Sequence, residues 1–408
     1  MKKLERQILH IDVNNAFLSW TAVDMLKKGA TLDIRTIPAI IGGDENQRRG
    51  IVLAKSMPAK QFGIRTGEPI YFARKKCPNI QLYASDFSIY NHYSRKMKEI
   101  FLEYTDQIER FSIDECFLDL THFLRPGETL LQKAYEIKDR IYQELGFTVN
   151  IGVSYNKLLT KMASDFEKPN KVHTLYPEEV SKKMWPLPVS DLFMVGKKTL
   201  PKLEKMHIKT IGDLAKTEEQ KLLQLFGKHG KMMYEYANGI DYSPVNAEEE
   251  QPKCIGNSIT LPEDIEDIEK LTEIILALSE QVGYRLRKQQ LLAKVVGVLI
   301  KTKDFQNFSH QKKVDVPTNS TKEIYSLAKE LLQELHKGRE VRLIGLRVDN
   351  LCSKKEIQLS LFDVEKNEKQ EKLDTTIDQL KQKYGYNTVT RAGKMKINDI
   401  INLKGEKK

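Results

Sequence analysis

Short apolar runs punctuate the first half of the chain. Residues 7 to 13, Gln-Ile-Leu-His-Ile-Asp-Val, read as a buried strand, and Asn14 or Asn15 is the N-cap of a helix running through Trp20 to Lys27. Asp12 therefore sits at a strand end. Residues 36 to 42 and 50 to 55 read as two further strands, followed by a short helix that stops at Phe62-Gly63. A helical pattern from 90 to 104 leads into strands over 107 to 112 and 115 to 121, a helix over 129 to 145 and a strand over 147 to 154. Together with the first strand this is βαββαβ, the order of the ferredoxin-like split βαβ arrangement.

Residues 179 to 245 read as short helices with glycine punctuation, closing at Asn238-Gly239 before the acidic linker Glu248-Glu249-Glu250-Gln251-Pro252. Beyond it come a strand (254 to 261), a helix (268 to 288), strands over 293 to 303 and 309 to 316, a helix (321 to 336) and a strand (341 to 351). This is a second βαββαβ unit. Residues 352 to 408 are polar apart from Gln358 to Phe362 and an amphipathic stretch near 373 to 384, and read as a tail.

Length and composition narrow the class. The 408 residues suit two to four domains, and 40% hydrophobic with 30% charged residues describes a globular chain with several cores. A net charge of +10 suits an acidic polymer partner without specifying one. With no 18-residue apolar stretch, and with Glu5, Arg6 and Asp12 interrupting the N-terminal run, no membrane partner and no signal peptide are expected, and the location expected is cytoplasmic. Cys77, Cys116, Cys254 and Cys352 are widely spaced and no HxxxH pair occurs, so a catalytic metal would need carboxylate ligands.

The sharpest chemical signal is Phe111-Ser112-Ile113-Asp114-Glu115-Cys116-Phe117-Leu118-Asp119, two adjacent carboxylates in an apolar setting. In one continuous strand they would point to opposite faces, so both serve one site only if the chain turns near Ile113. The predicted hairpin supplies that turn, and the split βαβ order brings Asp12 beside it. Three converging carboxylates are costly unless cations neutralise them, and an all-oxygen ligand set favours Mg²⁺, as two ions suited to phosphoryl transfer. The plainer reading is a helix-capping Asp12 and a decorated hairpin turn.

The Ser112-Ile113-Asp114-Glu115 run resembles the diagnostic motif of the Y-family of DNA polymerases, the lesion-bypass enzymes that include bacterial polymerase IV and the catalytic subunit of polymerase V. The resemblance extends over about residues 7 to 362. It implies an α+β, right-hand architecture: a ferredoxin-like palm (1–16 and 86–178), small fingers (17–85) and a helical thumb (179–245) with a helix-hairpin-helix. A linker (246–253), a little finger (254–351) and a tail with a clamp-binding peptide (352–408) complete it.

What the family implies is specific. Asp12, Asp114 and Glu115, with the Val13 carbonyl, would hold two Mg²⁺ while a primer 3′-hydroxyl attacks a deoxynucleoside triphosphate. Phe17 would be the aromatic gate that excludes a ribose 2′-hydroxyl; read alone, it is a core Phe on an amphipathic helix. Met57 and Lys60 fall in the fingers segment 51–63 that covers the incoming nucleotide, where the polymerase IV pattern has Tyr and Arg, so this stretch is closer to polymerase V. Asn14, where many members carry a carboxylate, is also as in polymerase V. Lys168, in Lys168-Pro169-Asn170, would contact the triphosphate.

For DNA, Val195-Gly196-Lys197-Lys198-Thr199 is similar to a phosphate-gripping hairpin, although Met194 stands where the family usually has Gly. In residues 285 to 313 eight cations, among them Arg285, Arg287, Lys301 and Lys303, face one Asp304, a stripe suited to duplex backbone. Gln358-Leu359-Ser360-Leu361-Phe362 matches the bacterial sliding-clamp (β subunit) peptide, its apolar groups having no further domain to bury them. The expected activity is therefore low-fidelity, template-dependent translesion synthesis by a monomer associated with the nucleoid, without proofreading. Two rivals stand beside it. One is a clamp-tethered scaffold that has lost synthesis, against which the intact carboxylates argue. The other is a nucleotide cyclase, which needs neither hairpin nor clamp peptide.

Overall fold

A computed structural model of the chain describes residues 5–44, 48, 50–248, 251–353, 361–385 and 388–389. It divides into two units, Met1–Gly43 with Ile51–Glu249, and Asp44–Gly50 with Glu250–Lys408.

The first unit opens with β1 (Ile8–Val13), every residue of which is buried, and α1 (Ala16–Lys27). Then come β2 (Ala39–Gly42), β3 (Val52–Lys55), α2 (Met57–Gln61), α3 (Ile70–Lys76) and β4 (Gln81–Ala84). These three strands form their own sheet in the order β3-β2-β4, over a small core that includes Ile40, Val52, Ile64 and Ile70. The palm resumes with α4 (Phe87–Leu102), β5 (Ile108–Arg110), β6 (Glu115–Asp119), α5 (Leu130–Arg140) and β7 (Val149–Ser154). It closes with α6 (Lys157–Ser164) and β8 (Val172–Thr174).

The palm sheet runs β5-β6-β1-β7-β8, which puts the first strand between the third and fourth strands of the βαββαβ motif. This is the ferredoxin-like order the sequence implied, extended by β8. Alternation along β1 sends Leu9, Ile11 and Val13 into the main core with Trp20, Tyr90, Phe101 and Phe147. Ile8, His10 and Asp12 take the opposite face. Trp20 and other α1 residues belong to that core, so α1 packs with the palm, whereas the resemblance assigns residues 17–85 to the fingers. The last turn of α5 widens into a π-helical turn over Ile141–Leu145.

The thumb follows as α7 (Leu200–Lys205), α8 (Ile211–Lys216), α9 (Glu219–Phe226) and α10 (Lys228–Ala237). Thr210 and Asp213 form a reciprocal capping box that starts α8. The core of the thumb, built on Leu203, Ile211, Leu214 and Leu222, includes Leu158, Leu159 and Met162 of α6.

The second unit contains β9 (Cys254–Ile265), α11 (Ile268–Lys288), β10 (Leu291–Thr302), β11 (Asn307–Thr318), α12 (Thr321–His336), β12 (Val341–Asp349), β13 (Cys352–Ser353) and α13 (Leu361–Tyr384). The element string is the predicted βαββαβ, but the sheet order is β11-β10-β12-β9, with the first strand at an edge. Both α11 and α12 pack their apolar stripes on one face, against Val296, Val298 and Ile300.

Within residues 352–408, read as a tail, the described helix α13 is packed on the second unit. Helix α13 carries Asp374, Asp378 and Lys381 at helical spacing. Asp374 is 2% exposed and its Oδ2 accepts from the Thr321 amide at 3.1 Å, capping α12 from outside. Arg287 of α11 meets Asp378 at 2.6 Å and Asp374 at 3.6 Å, and Lys381 meets Glu280 at 2.9 Å. The helix is held by buried charge pairs, which hydrophobic periodicity does not reveal.

Removing one partner of such a pair leaves buried carboxylates uncompensated. Arg287→Ala is therefore expected to destabilise the little finger by about 3 kcal/mol or more. Affinity for the acidic polymer that the net charge suits should change less than about threefold, since Arg287 is withdrawn from solvent. Hydrogen exchange in α11 and α12, with an anisotropy titration, reads both effects.

Candidate active site

The cross-strand register builds the site. Asp12 of β1 lies directly opposite Glu115 of β6 and Asn150 of β7, and paired residues share a face of the sheet. One row further along lie Phe117, His10 and Gly152. At Gly152 an added Cβ would stand 1.8 Å from the Thr160 carbonyl, so only glycine allows α6 to lie this close to the sheet. That approach carries Lys161 onto the carboxylates.

Lys161 Nζ is 3.1 Å from Glu115 Oε1, 3.8 Å from Asp12 Oδ2 and 3.2 Å from Asp165 Oδ2. Lys168 Nζ donates to Asp12 Oδ2 at 2.6 Å and lies 2.9 Å from Asp165. Burial pushes the Asp12 carboxyl up to about 6, outweighing the downward pull of Lys168 and Lys161. At Glu115 burial acts in the same sense, but the His10 ring at 3.5 Å and the Lys161 ammonium prevail and hold it at about 2. His10 is fully buried, pushed down to about 4 by desolvation, and its Nδ1 shares a hydrogen bond with Ser164 Oγ at 2.8 Å.

Asp114 occupies the turn between β5 and β6, with its side chain accepting from Ser112 Oγ at 2.6 Å. Its carbonyl accepts from the Val13 amide at 3.1 Å, and Ser94 of α4 donates to the Ile113 carbonyl, so the turn is tied to the end of β1. Sequence neighbourhood thus becomes spatial neighbourhood, yet the convergence is incomplete. Among the described residues no three His, Cys, Asp or Glu side chains stand close enough to hold an ion together. The donor set nevertheless fits a hard divalent cation: two carboxylates side by side, oxygen donors only, with positive charge already drawn between them.

Asn14 closes the site from below. Its amide nitrogen donates to Asn150 Oδ1 at 3.2 Å, and its Oδ1 accepts from the Asn170 amide at 2.9 Å. Asn150 in turn donates to the Ser164 and Glu167 carbonyls. Together they fasten the loop that carries Lys168. Phe17, in the first turn of α1, stacks on Tyr90 with ring centres 4.5 Å apart and meets Phe87 edge-on at 5.7 Å.

In the fingers, Ser56 caps α2 by accepting from the Ala59 amide, leaving Met57 and Lys60 exposed on its outer side. Lys55 lies nearby, its ammonium held below the usual range by burial and by Lys60.

The thumb hairpin contains Gly196, Lys197, Lys198 and Thr199 immediately before α7, both lysines exposed. Met194 has φ 74, the left-handed conformation for which glycine is favoured, so the turn carries its strain in a methionine. Arg285 and Arg287 lie on α11, the face of the little-finger sheet covered by helices. Arg285 donates to the Gly256 carbonyl at 3.2 Å. The expectation of a DNA-facing Arg287 is not met, because two α13 carboxylates hold it. Lys303 pairs with Glu340. Lys301 lies with Gly297 and Leu299 on the uncovered face, in rows with Asn307, Ser309, Gln311 and Arg347. Gln358 to Ser360 of the clamp peptide lie outside the described residues, and Leu361 and Phe362 open α13.

Comparison with known proteins assigns the fold and site to a family. Models of the impB/mucB/samB family and of its C-terminal domain match residues 11–165 and 252–361, and the thumb domain of DNA polymerase iota matches 190–241. The DNA polymerase IV of Clostridium acetobutylicum is 48% identical over 389 residues, covering 95% of this chain and 98% of its own. The chain belongs to the Y-family, as a DNA polymerase IV. The polymerase IV of Acetivibrio thermocellus is 38% identical over 393 residues, spanning 95% of this chain and 97% of its own. Among solved structures a Y-family DNA polymerase chimera superposes with a TM-score of 0.73 at 23% identity, over 85% of this chain and all of its own, which bears on the fold.

As a polymerase IV the protein is a DNA-directed DNA polymerase that performs low-fidelity translesion synthesis on primer-template DNA with deoxynucleoside triphosphates. Polymerases of this family are nucleotidyltransferases that need a divalent metal. Thumb and C-terminal matches disfavour the cyclase rival, and the scaffold reading loses ground to relatives named as polymerases across almost the whole chain. The polymerase V-like letters at Asn14, Met57 and Lys60 are variations within polymerase IV. Among the described residues no helix is long and apolar enough to cross a membrane. Sequence reasoning missed His10, Asn150, Lys161 and Asp165. The interior glycine at 152 and the Asn156 cap of α6 were the available signals.

Proposed function

We propose that Asp12, Asp114 and Glu115, with the Val13 carbonyl, hold two Mg²⁺ at which a primer is extended. The observation that carries this reading is Asp12 opposite Glu115 in the β1–β6 ladder, one residue from Asp114, with ammonium groups already drawn in. Bound there, divalent ions supply activation of the attacking oxygen and stabilisation of the leaving one. The bond formed joins the primer 3′-oxygen, whose proton passes to solvent, to the α-phosphorus; the bond broken, from the α-phosphorus to its bridging oxygen, releases pyrophosphate. Phe17, braced by Tyr90 and Phe87, meets the sugar edge. Lys168 and Lys60 receive triphosphate oxygens, with Met57 beside them. Gly196, Lys197, Lys198 and Thr199 hold duplex phosphates, and Lys301 on the uncovered little-finger face tracks the backbone.

The same reading gives the enzyme a bacterial sliding clamp as partner through Gln358, Leu359, Leu361 and Phe362, a monomeric state and a cytoplasmic, nucleoid-associated setting. Leu361→Ala with Phe362→Ala should remove clamp stimulation of primer extension and weaken clamp binding at least about tenfold, since two apolar anchors for the partner's pocket are lost. Single-nucleotide addition on naked DNA should be unchanged. Undiminished clamp stimulation would remove these residues from the contact.

A further inference from the structure

Lys161 is the cation at the site that neither the family resemblance nor the chemistry above employs. Its whole residue is 8% exposed, and its ammonium is surrounded by three carboxylates, those of Asp12, Glu115 and Asp165. Lys168 shares two of them, Asp12 and Asp165. The three carboxylates and two ammoniums leave this cluster with little net charge before any ion arrives. A carboxylate site without such ammoniums would draw a divalent cation by itself; here the cation meets positive charge already in place.

The two lysines differ in what can remove them. Lys168 has a side chain 35% exposed, on the loop fastened by Asn14 and Asn150, and triphosphate oxygens can draw it off Asp12. Lys161 is 10% exposed at its side chain and sits on α6 pressed against Gly152, so it stays. We infer that Lys161 is an internal counter-ion that competes with the divalent cation for Asp12 and Glu115, keeping the nucleotide-free enzyme a weak metal binder. Metal and nucleotide then bind with positive coupling, because the nucleotide removes one ammonium and adds anionic oxygens, and the coupling is reciprocal. This rests on the metal-ligand assignment proposed above.

The test is Mn²⁺ binding to the full chain without DNA or nucleotide, read from the electron paramagnetic resonance of the free ion. Lys161→Met should bind Mn²⁺ about tenfold or more tightly than the unaltered enzyme, because a unit charge within 4 Å of the ligands is removed. Its melting temperature should also rise more steeply with Mn²⁺. Lys161→Arg, which keeps the charge, should bind as weakly as the unaltered enzyme. Lys161→Gln is run beside Lys161→Met, so that one folded neutral variant suffices. Equal or weaker Mn²⁺ binding by the neutral variants, with residual binding still lost on Asp12→Asn, overturns the inference alone and makes Lys161 a holder of the carboxylates. A gain that survives Asp12→Asn in the double variant overturns the metal-ligand assignment itself.

Discussion

Replacing Asp114 and Glu115 together by alanine is expected to abolish nucleotide incorporation, by a factor on the order of 10³ or more, since loss of one preorganised electrostatic partner already costs 10²–10³ elsewhere. Asp114 lies in the turn tied to the Val13 amide, and Glu115 begins β6 opposite Asp12, so the pair removes two of the three carboxylates and spares the ladder. Lys161 retains Asp12 and Asp165 as partners, which limits the structural cost. The thumb hairpin and little-finger sheet are untouched, so primer-template affinity should stay within about threefold. Single-turnover incorporation and fluorescence anisotropy separate the two effects. Undiminished synthesis would refute the assignment of the metal ligands.

The second large effect concerns sugar choice. Phe17→Val is expected to reduce discrimination against ribonucleotides about a hundredfold, the order by which a pocket loses selectivity when a steric contact is removed. Phe17 is held rigidly enough to act as a wall: Tyr90 stacks on it at 4.5 Å, Phe87 meets it edge-on and Trp20 lies 6.2 Å away. Loss of this packing should also cost about 1–3 kcal/mol of stability. Comparing kcat/KM for deoxy- and ribonucleoside triphosphates tests the gate. Unchanged discrimination would leave Phe17 a core residue.

Much of the palm was legible because its signals are local. A buried strand ending in Asp12, two carboxylates at a hairpin and the βαββαβ string are sufficient to give the sheet order β5-β6-β1-β7. The neighbours that tune those carboxylates were not legible in the same way. Lys161 and Glu115 lie 46 positions apart, and their meeting depends on α6 lying on Gly152. In the little finger the same string of elements yields a sheet with its first strand at the edge, since hydrophobic alternation specifies which face of a strand is buried and leaves its neighbours open. The docking of α13 escaped the pattern because Asp374, Asp378 and Lys381 are polar letters, and polarity reads as solvent exposure until their partners are seen. Arg287 was misassigned for the same reason: an arginine in a basic stripe looks like a phosphate ligand, and the carboxylates it faces lie about ninety positions away.

The decisive experiment is extension of a primer by the purified full chain on an undamaged and on an abasic template, with Mg²⁺ and after chelation of all divalent ions. Carboxylates that hold a catalytic ion require extension in Mg²⁺ and none once the metal is removed; the abasic template reads bypass beside it. Extension that persists without divalent ions, or its absence in every divalent ion while DNA stays bound, would contradict them.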